Sequence, residues 1–162
     1  MKRILALLAA AVLLCGCAAQ RAVPQPVVQN LDPQETAAQL WLKLSQQAQP
    51  APLDLKMTAR LLELKETDLA EGIALLNPED PGGAQMFLLR AAPKKGQRLQ
   101  TALQNRLELV RQTSAAVLGS AADSQSLGCV VSAGEWYALL VPSEMEEERT
   151  QQARQTFLAA FE

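Results

Sequence analysis

Glu135-Trp136-Tyr137-Ala138-Leu139-Leu140-Val141 is the stretch on which the fold turns. A strand with one wet face alternates apolar and polar residues, whereas a strand that is apolar at nearly every position needs cover on both faces. This segment is of the second kind and reads as the centre of a sheet. Trp136 and Tyr137 are neighbours, so one ring goes to each face. Core packing is the default for at least one of them, and an exposed one would mark a contact surface. Immediately before it, Ala133-Gly134 supplies a glycine for the positive φ of a tight hairpin, joining a partner strand at Ser126 to Ser132. Pro142 ends the pair.

Working back from this hairpin, Gly96 to Leu118 reads as the longest helix. Leu99, Leu103, Leu107, Val110 and Val117 form its stripe, and Gly119 is a stop. Before it stand two strands, Leu69 to Leu76 and Gln85 to Ala91, separated by the turn formers Asn77-Pro78-Glu79-Asp80-Pro81-Gly82-Gly83. After the central strand, Ser143 and Glu146 form a capping box for a last helix. Its first turn is rich in Glu, where the helix dipole favours negative charge, and its apolar side carries Ala153, Phe157, Ala160 and Phe161. The expected class is therefore α+β: a four-stranded, mainly antiparallel sheet in ββαββα order with long helices packed on it.

One or two entry helices precede this unit. Asp32 caps the first, Pro33 occupies the first turn where a missing N–H is harmless, and Glu35 stands three residues after the cap. Ala37, Leu40, Trp41, Leu44 and Ala48 share a face, and this helix, or a second copy of the chain in a homodimer, is the expected cover for the other side of the sheet. Gln49 to Pro52 reads as a loop. A short helix at Met57 to Leu64 follows.

The first thirty residues have a different character. Met1-Lys2-Arg3 is a positive start, and Ile4 to Leu14 is an apolar run of 11 residues. A bilayer needs roughly 20, so the run reads as the apolar core of a signal peptide and not as a permanent span. Leu14-Cys15-Gly16-Cys17 resembles the bacterial lipobox, in which a leucine stands three residues before the modified cysteine and a small residue directly before it. Cys17 meets both conditions; Cys15, preceded by leucines, does not. The expected organisation is a lipoprotein signal at residues 1–16, then lipidated Cys17 and a Pro-containing tether through residue 31, then one α+β domain over 32–162. The protein is expected on the cell membrane at its extracytoplasmic face, anchored by lipid on Cys17.

Charge and side-chain chemistry narrow the activities. The chain has 15 basic and 17 acidic residues and no histidine. Without histidine the commonest general base, the Ser-His and Cys-His pairs and most zinc sites are missing. The mildly acidic, scattered charge offers no footprint for nucleic acid. Of three cysteines, Cys15 leaves with the signal and Cys17 carries lipid, so Cys129 has no disulfide partner in the mature chain. Within Leu127-Gly128-Cys129-Val130-Val131 it reads as a small core residue.

Consecutive acids in Glu144 to Glu148 point in different directions on a helix and do not converge on an ion. Glu79 and Asp80 lack the alternating acidic pattern of a calcium loop. Pro81-Gly82-Gly83 lacks a following Gly-Lys-Ser/Thr, and Lys94-Lys95-Gly96 reads as a solvated loop near a helix start. Asp68, Glu71 and Glu135 are the carboxylates that a wall-glycan hydrolase would need to pair across a cleft. No catalytic residue, cofactor or metal is expected. A non-enzymatic envelope protein that contacts another envelope component is expected, ahead of a single-domain small-ligand module accessory to transport, with a carboxylate-based cell-wall hydrolase third.

Several blocks of text resemble a family of uncharacterised lipoproteins from Gram-positive anaerobes that carry a domain of unknown function. These are the leucine-rich turn at Leu61 to Asp68, the strand ending in Asn77-Pro78, Gly82-Gly83-Ala84-Gln85-Met86-Phe87, and Asn105-Arg106-Leu107. The most specific is Gly134-Glu135-Trp136-Tyr137-Ala138-Leu139-Leu140-Val141-Pro142-Ser143-Glu144. The resemblance implies a membrane-anchored extracytoplasmic protein and supplies no catalytic residue.

Overall fold

A computed structural model describes residues 31–45, 49–77, 83–118, 127–143 and 147–162. Chain order is α1 (Pro33–Leu44), β1 (Ala51–Leu53), α2 (Leu55–Leu61), a 3-10 turn (Glu66–Asp68), β2 (Leu69–Leu76), β3 (Gln85–Ala91), α3 (Gly96–Leu118), β4 (Cys129–Ala133), β5 (Trp136–Val141) and α4 (Glu147–Ala159). The class is α+β, with one antiparallel sheet in the spatial order β1-β2-β3-β5-β4.

The sheet has five strands where four were expected. The extra one is Ala51–Leu53, which overlaps the segment Gln49 to Pro52 read as a loop on account of its two prolines. It pairs Ala51 with Leu76, Pro52 with Leu75 and Leu53 with Ala74. Proline is tolerated there because β1 is an edge, whose outer side has no ladder to complete. The same prolines blunt that edge against pairing with another chain.

The central strand behaves as its composition requires. β5 lies between β3 and β4, and Trp136, Ala138, Leu139, Leu140 and Val141 are all buried. Side chains alternate to two separate cores. On one face Phe87, Leu89, Leu139 and Val141 pack with Leu99, Leu103, Leu107 and Val110 of α3 and with Ala59 of α2. On the other, Met86, Leu88, Trp136, Ala138 and Leu140 pack with Leu40, Trp41 and Leu44 of α1 and with Ala153 and Phe157 of α4. Helices therefore cover both faces, and the entry helix supplies the second cover together with α4. Because α3 and α4 follow equivalent hairpins yet lie on opposite faces, the two ββα halves share order without sharing symmetry.

Local signals explain most boundaries. The Asp32 carboxylate accepts from the Gln34 and Glu35 amides at 2.9 and 3.2 Å. Glu35 does not close a capping box; its carboxylate turns forward and accepts from Gln39 at 3.2 Å. α1 ends at Leu44, whose carbonyl accepts from the Ser143 amide at 3.0 Å and the Ser143 hydroxyl at 3.3 Å. Thus Ser143 ties two distant segments together; its expected box partner Glu146, like Ala48 and Gly119, lies outside the described residues. The short helix starts earlier than Met57 because Asp54 caps it, accepting from Met57 N–H at 2.6 Å. β4 starts at Cys129, directly after Gly128 takes a left-handed φ of 75°, and Ser126, the expected start, lies outside the described residues. In the β4–β5 hairpin Gly134 has φ 59° and Glu135 is not left-handed, the pattern of a type II′ turn.

Gly72 is the one strand position where backbone approach excludes a side chain. A Cβ there would sit 2.6 Å from the Leu88 carbonyl and 2.9 Å from the Leu89 Cα, next to the register shift between Leu69 and Glu71.

Phe87 is fully buried beneath α3, so Phe87→Ala is expected to cost about 3–5 kcal/mol. Leu42→Ala, at a side chain 68% exposed, is expected to stay within about 0.5 kcal/mol. Urea denaturation of the two variants beside the parent checks both.

Candidate functional site

Two passes of the chain meet at one corner of the molecule. The 3-10 turn leads into β2, β3 leaves toward α3, and a turn at Ala92-Pro93-Lys94-Lys95 starts α3. Asp68 stands at the crossing with only 1% of its surface exposed. One carboxylate oxygen meets Lys95 Nζ at 3.2 Å; the other accepts from the Lys65 amide at 3.1 Å and meets Arg98 Nε at 3.3 Å. Its backbone is also used, the Ala92 amide donating to the Asp68 carbonyl at 3.0 Å. Desolvation is the largest influence on the carboxyl and pushes its pKa up. The Lys65 amide, the Lys95 hydrogen bond and the fields of Arg98 and Lys95 together outweigh it and hold the pKa below the ordinary 3.8. A buried carboxylate satisfied this way is a fixed pivot for two cations.

Those cations border an open groove of ≈ 550 Å³ between the end of α2 and the first half of α3, lined by Leu62, Glu63, Lys94, Arg98, Ala102 and Asn105 among others. A smaller depression of ≈ 110 Å³ continues it past Leu61, Arg106 and Leu109, and the two share Leu62, Glu63, Ala102 and Asn105. Leu62 and Ala102 are buried and form an apolar floor; Glu63, Lys94, Arg98 and Asn105 are exposed at the rim. Arg106 reaches inward instead, donating from Nε to Gln85 at 3.1 Å, and burial lowers its pKa.

Two rim residues have unusual backbones. Glu63 (φ 55°) and Lys94 (φ 66°) are the non-glycine residues with positive φ among the described residues. Each occupies a place that glycine normally takes. α2 ends in a Schellman motif, with Leu64 N–H on the Ala59 carbonyl at 2.8 Å and Glu63 N–H on the Arg60 carbonyl at 3.1 Å, which puts Glu63 at the left-handed position. Lys94 follows Pro93 in a turn closed by Lys95 N–H on the Ala92 carbonyl at 2.9 Å, the type II position that wants glycine. Charged side chains held at glycine positions, on facing sides of one groove, are the kind of strain that collects at functional sites.

The other sequence candidates are placed elsewhere. Asp68 does not pair with a second carboxylate. Glu71 meets Arg90 Nε at 2.6 Å, and Glu135 approaches Arg90 NH1 at 4.0 Å, so a guanidinium stands between these two acids. Neither lines the groove or its continuation. Cys129 is half-buried and free; burial raises its thiol pKa, with the charges of Arg154 and Arg111 acting the other way. Trp136 is core, and Tyr137 is partly buried on the opposite face. Glu148 accepts from Gln152 on α4 at 3.2 Å, while Glu144 to Glu146, Glu79, Asp80 and Cys17 lie outside the described residues. Among the described residues no three acidic or cysteine side chains gather as a metal site, and no helix is long and apolar enough to cross a membrane.

The Lys94-Lys95-Gly96 segment, read as a solvated loop, is the head of the groove. Arg98 has no sequence signal of its own, and Glu63 and Asn105 enter only within the blocks Leu61 to Asp68 and Asn105-Arg106-Leu107 of the family resemblance, with no binding role attached. A leucine-rich helix ending in Leu62-Glu63-Leu64 with no glycine, and Pro93-Lys94 where Pro-Gly is usual, were the available signals.

Searches of family models, curated proteins and solved structures found no match to this chain.

Two outcomes follow from this geometry. A carboxyl whose folded pKa is depressed stabilises the fold above its unfolded pKa, and the gain is lost as pH falls through the folded pKa. Parent protein is therefore expected to lose urea resistance below about pH 4 more steeply than Asp68→Asn, which starts lower at pH 7. Glu63→Gly and Lys94→Gly are each expected to raise stability by about 0.5–1 kcal/mol by relieving the left-handed backbone. Chemical denaturation of each variant at neutral pH measures that gain.

Proposed function

We propose that this chain is a lipid-anchored protein of the bacterial cell envelope, held through Cys17 at the extracytoplasmic face, and that it works by binding an envelope component and not by catalysis. The rim of the α2–α3 groove carries the reading: charged residues kept at glycine positions, beside cations fixed by a buried carboxylate. Such a rim is built to present charge to something outside, at some cost in stability.

The arrangement of the carboxylates supports binding over hydrolysis. Glycoside chemistry needs two facing carboxyls with the sugar between them, and here Arg90 occupies the space between Glu71 and Glu135, while Asp68 is buried among cations. Placement at the envelope rests on the charged start, the short apolar run and Cys17, and the resemblance to lipoproteins of Gram-positive anaerobes belongs to the same proposal.

Cells expressing the full chain and fed an alkyne-tagged fatty acid test the anchor. The parent protein is expected to take up the tag and sediment with membranes, whereas Cys17→Ala takes up none and leaves the membrane fraction. Equal labelling of the two proteins, or an unlabelled parent, would overturn the anchoring.

A further inference from the structure

We infer that the α2–α3 groove receives the carboxylate end of a short extended peptide, an inference that rests on the binding reading above and names its ligand class. The head of the groove is cationic. Arg98 uses Nε and Lys95 one contact of Nζ to hold Asp68, which leaves further donors on each, and Lys94 has no ion-pair partner among the described residues. A guanidinium fork oriented by a buried carboxylate matches the two oxygens of a carboxylate ligand.

Beyond the head the lining changes in a way that suits a peptide main chain. Gln97 and Asn105 line the groove with side-chain amides that have no partner among the described residues, and each amide can both donate and accept. Glu63, on the opposite rim, only accepts, so it opposes an anion and favours N–H donors. A free inorganic anion would use the cations alone and meet Glu63 unfavourably. A peptide offers its carboxylate to Lys94 and Arg98, its N–H groups to Glu63, and small side chains to the floor of Leu62 and Ala102. Length agrees as well: from Lys95 to Asn105 the helix rises about 15 Å, the span of roughly four or five extended residues. A volume of ≈ 550 Å³ lies within the range that accepts ligands of that size.

The test uses the full chain purified from cells in detergent, labelled with ¹⁵N. The probes are alanine pentapeptides randomised at the central residue, with free or amidated C-termini, and inorganic phosphate. Free-acid peptides are expected to shift the amide signals of Glu63, Lys94, Arg98 and Asn105, and amidation to weaken binding about tenfold or more. Lys94→Met should cost a similar factor while keeping the parent's melting temperature, and Lys94→Arg should restore binding. Equal binding of amidated peptides, equal shifts with phosphate alone, or shifts confined to other residues would overturn the groove assignment. Absence of any peptide response beside normal fatty-acid labelling at Cys17 would overturn this inference and leave the anchoring intact. A peptide response in a protein that takes up no fatty acid would do the reverse.

Discussion

Everything in this molecule depends on two adjacent strands, β3 and β5, that are apolar on both faces. Phe87 and Leu139 point one way, Met86 and Leu140 the other, and all four are fully buried. Burying one large apolar side chain contributes about 1.5–3 kcal/mol, so neither face can be left to water. Helices must lie on both sides. α3 takes one face directly after β3, and α4 takes the other directly after β5, assisted by α1 from the start of the chain.

That constraint accounts for the less regular parts. α1 has to be held against a face far from its own neighbours in sequence, and the link from Leu44 to Ser143 does this at the helix end where carbonyls lack partners. α2 and the 3-10 turn fill the edge of the other face, and their close approach to the start of α3 creates the corner occupied by Asp68. The buried carboxylate there joins three segments by charge and by backbone, so one residue both closes the fold and orients the cations at the groove head.

Much of the fold was legible because its signals are local. β2, β3 and α3 fall on the expected residues, since alternation, turn-rich punctuation and a long leucine stripe are each read within a few residues. β1 was missed because two prolines argue against a strand, and only the free outer side of an edge makes them acceptable. The candidate site was legible only in part. Lys94 and Lys95 were noticed as charge near a helix start, but Glu63 lies thirty-one residues away and reaches the same groove only because α2 docks beside α3. In sequence Asp68 reads as an acid awaiting a second carboxylate. Its actual partners, Lys95 in the turn before α3 and Arg98 in the first turn of α3, come from beyond two intervening strands.

By itself the sequence determined the types of the four helices and of strands β2 to β5, the centrality of the strand at Trp136–Val141, the absence of histidine chemistry and the expectation of a lipid at Cys17, because each follows from residue identity and short spacing. Only the tertiary structure decided which helices cover which face, that Asp68 is a buried pivot, and that Glu63 and Lys94 face one groove. Those facts depend on contacts between segments far apart in the chain, and on a left-handed backbone that Leu62-Glu63-Leu64 and Pro93-Lys94 do not announce.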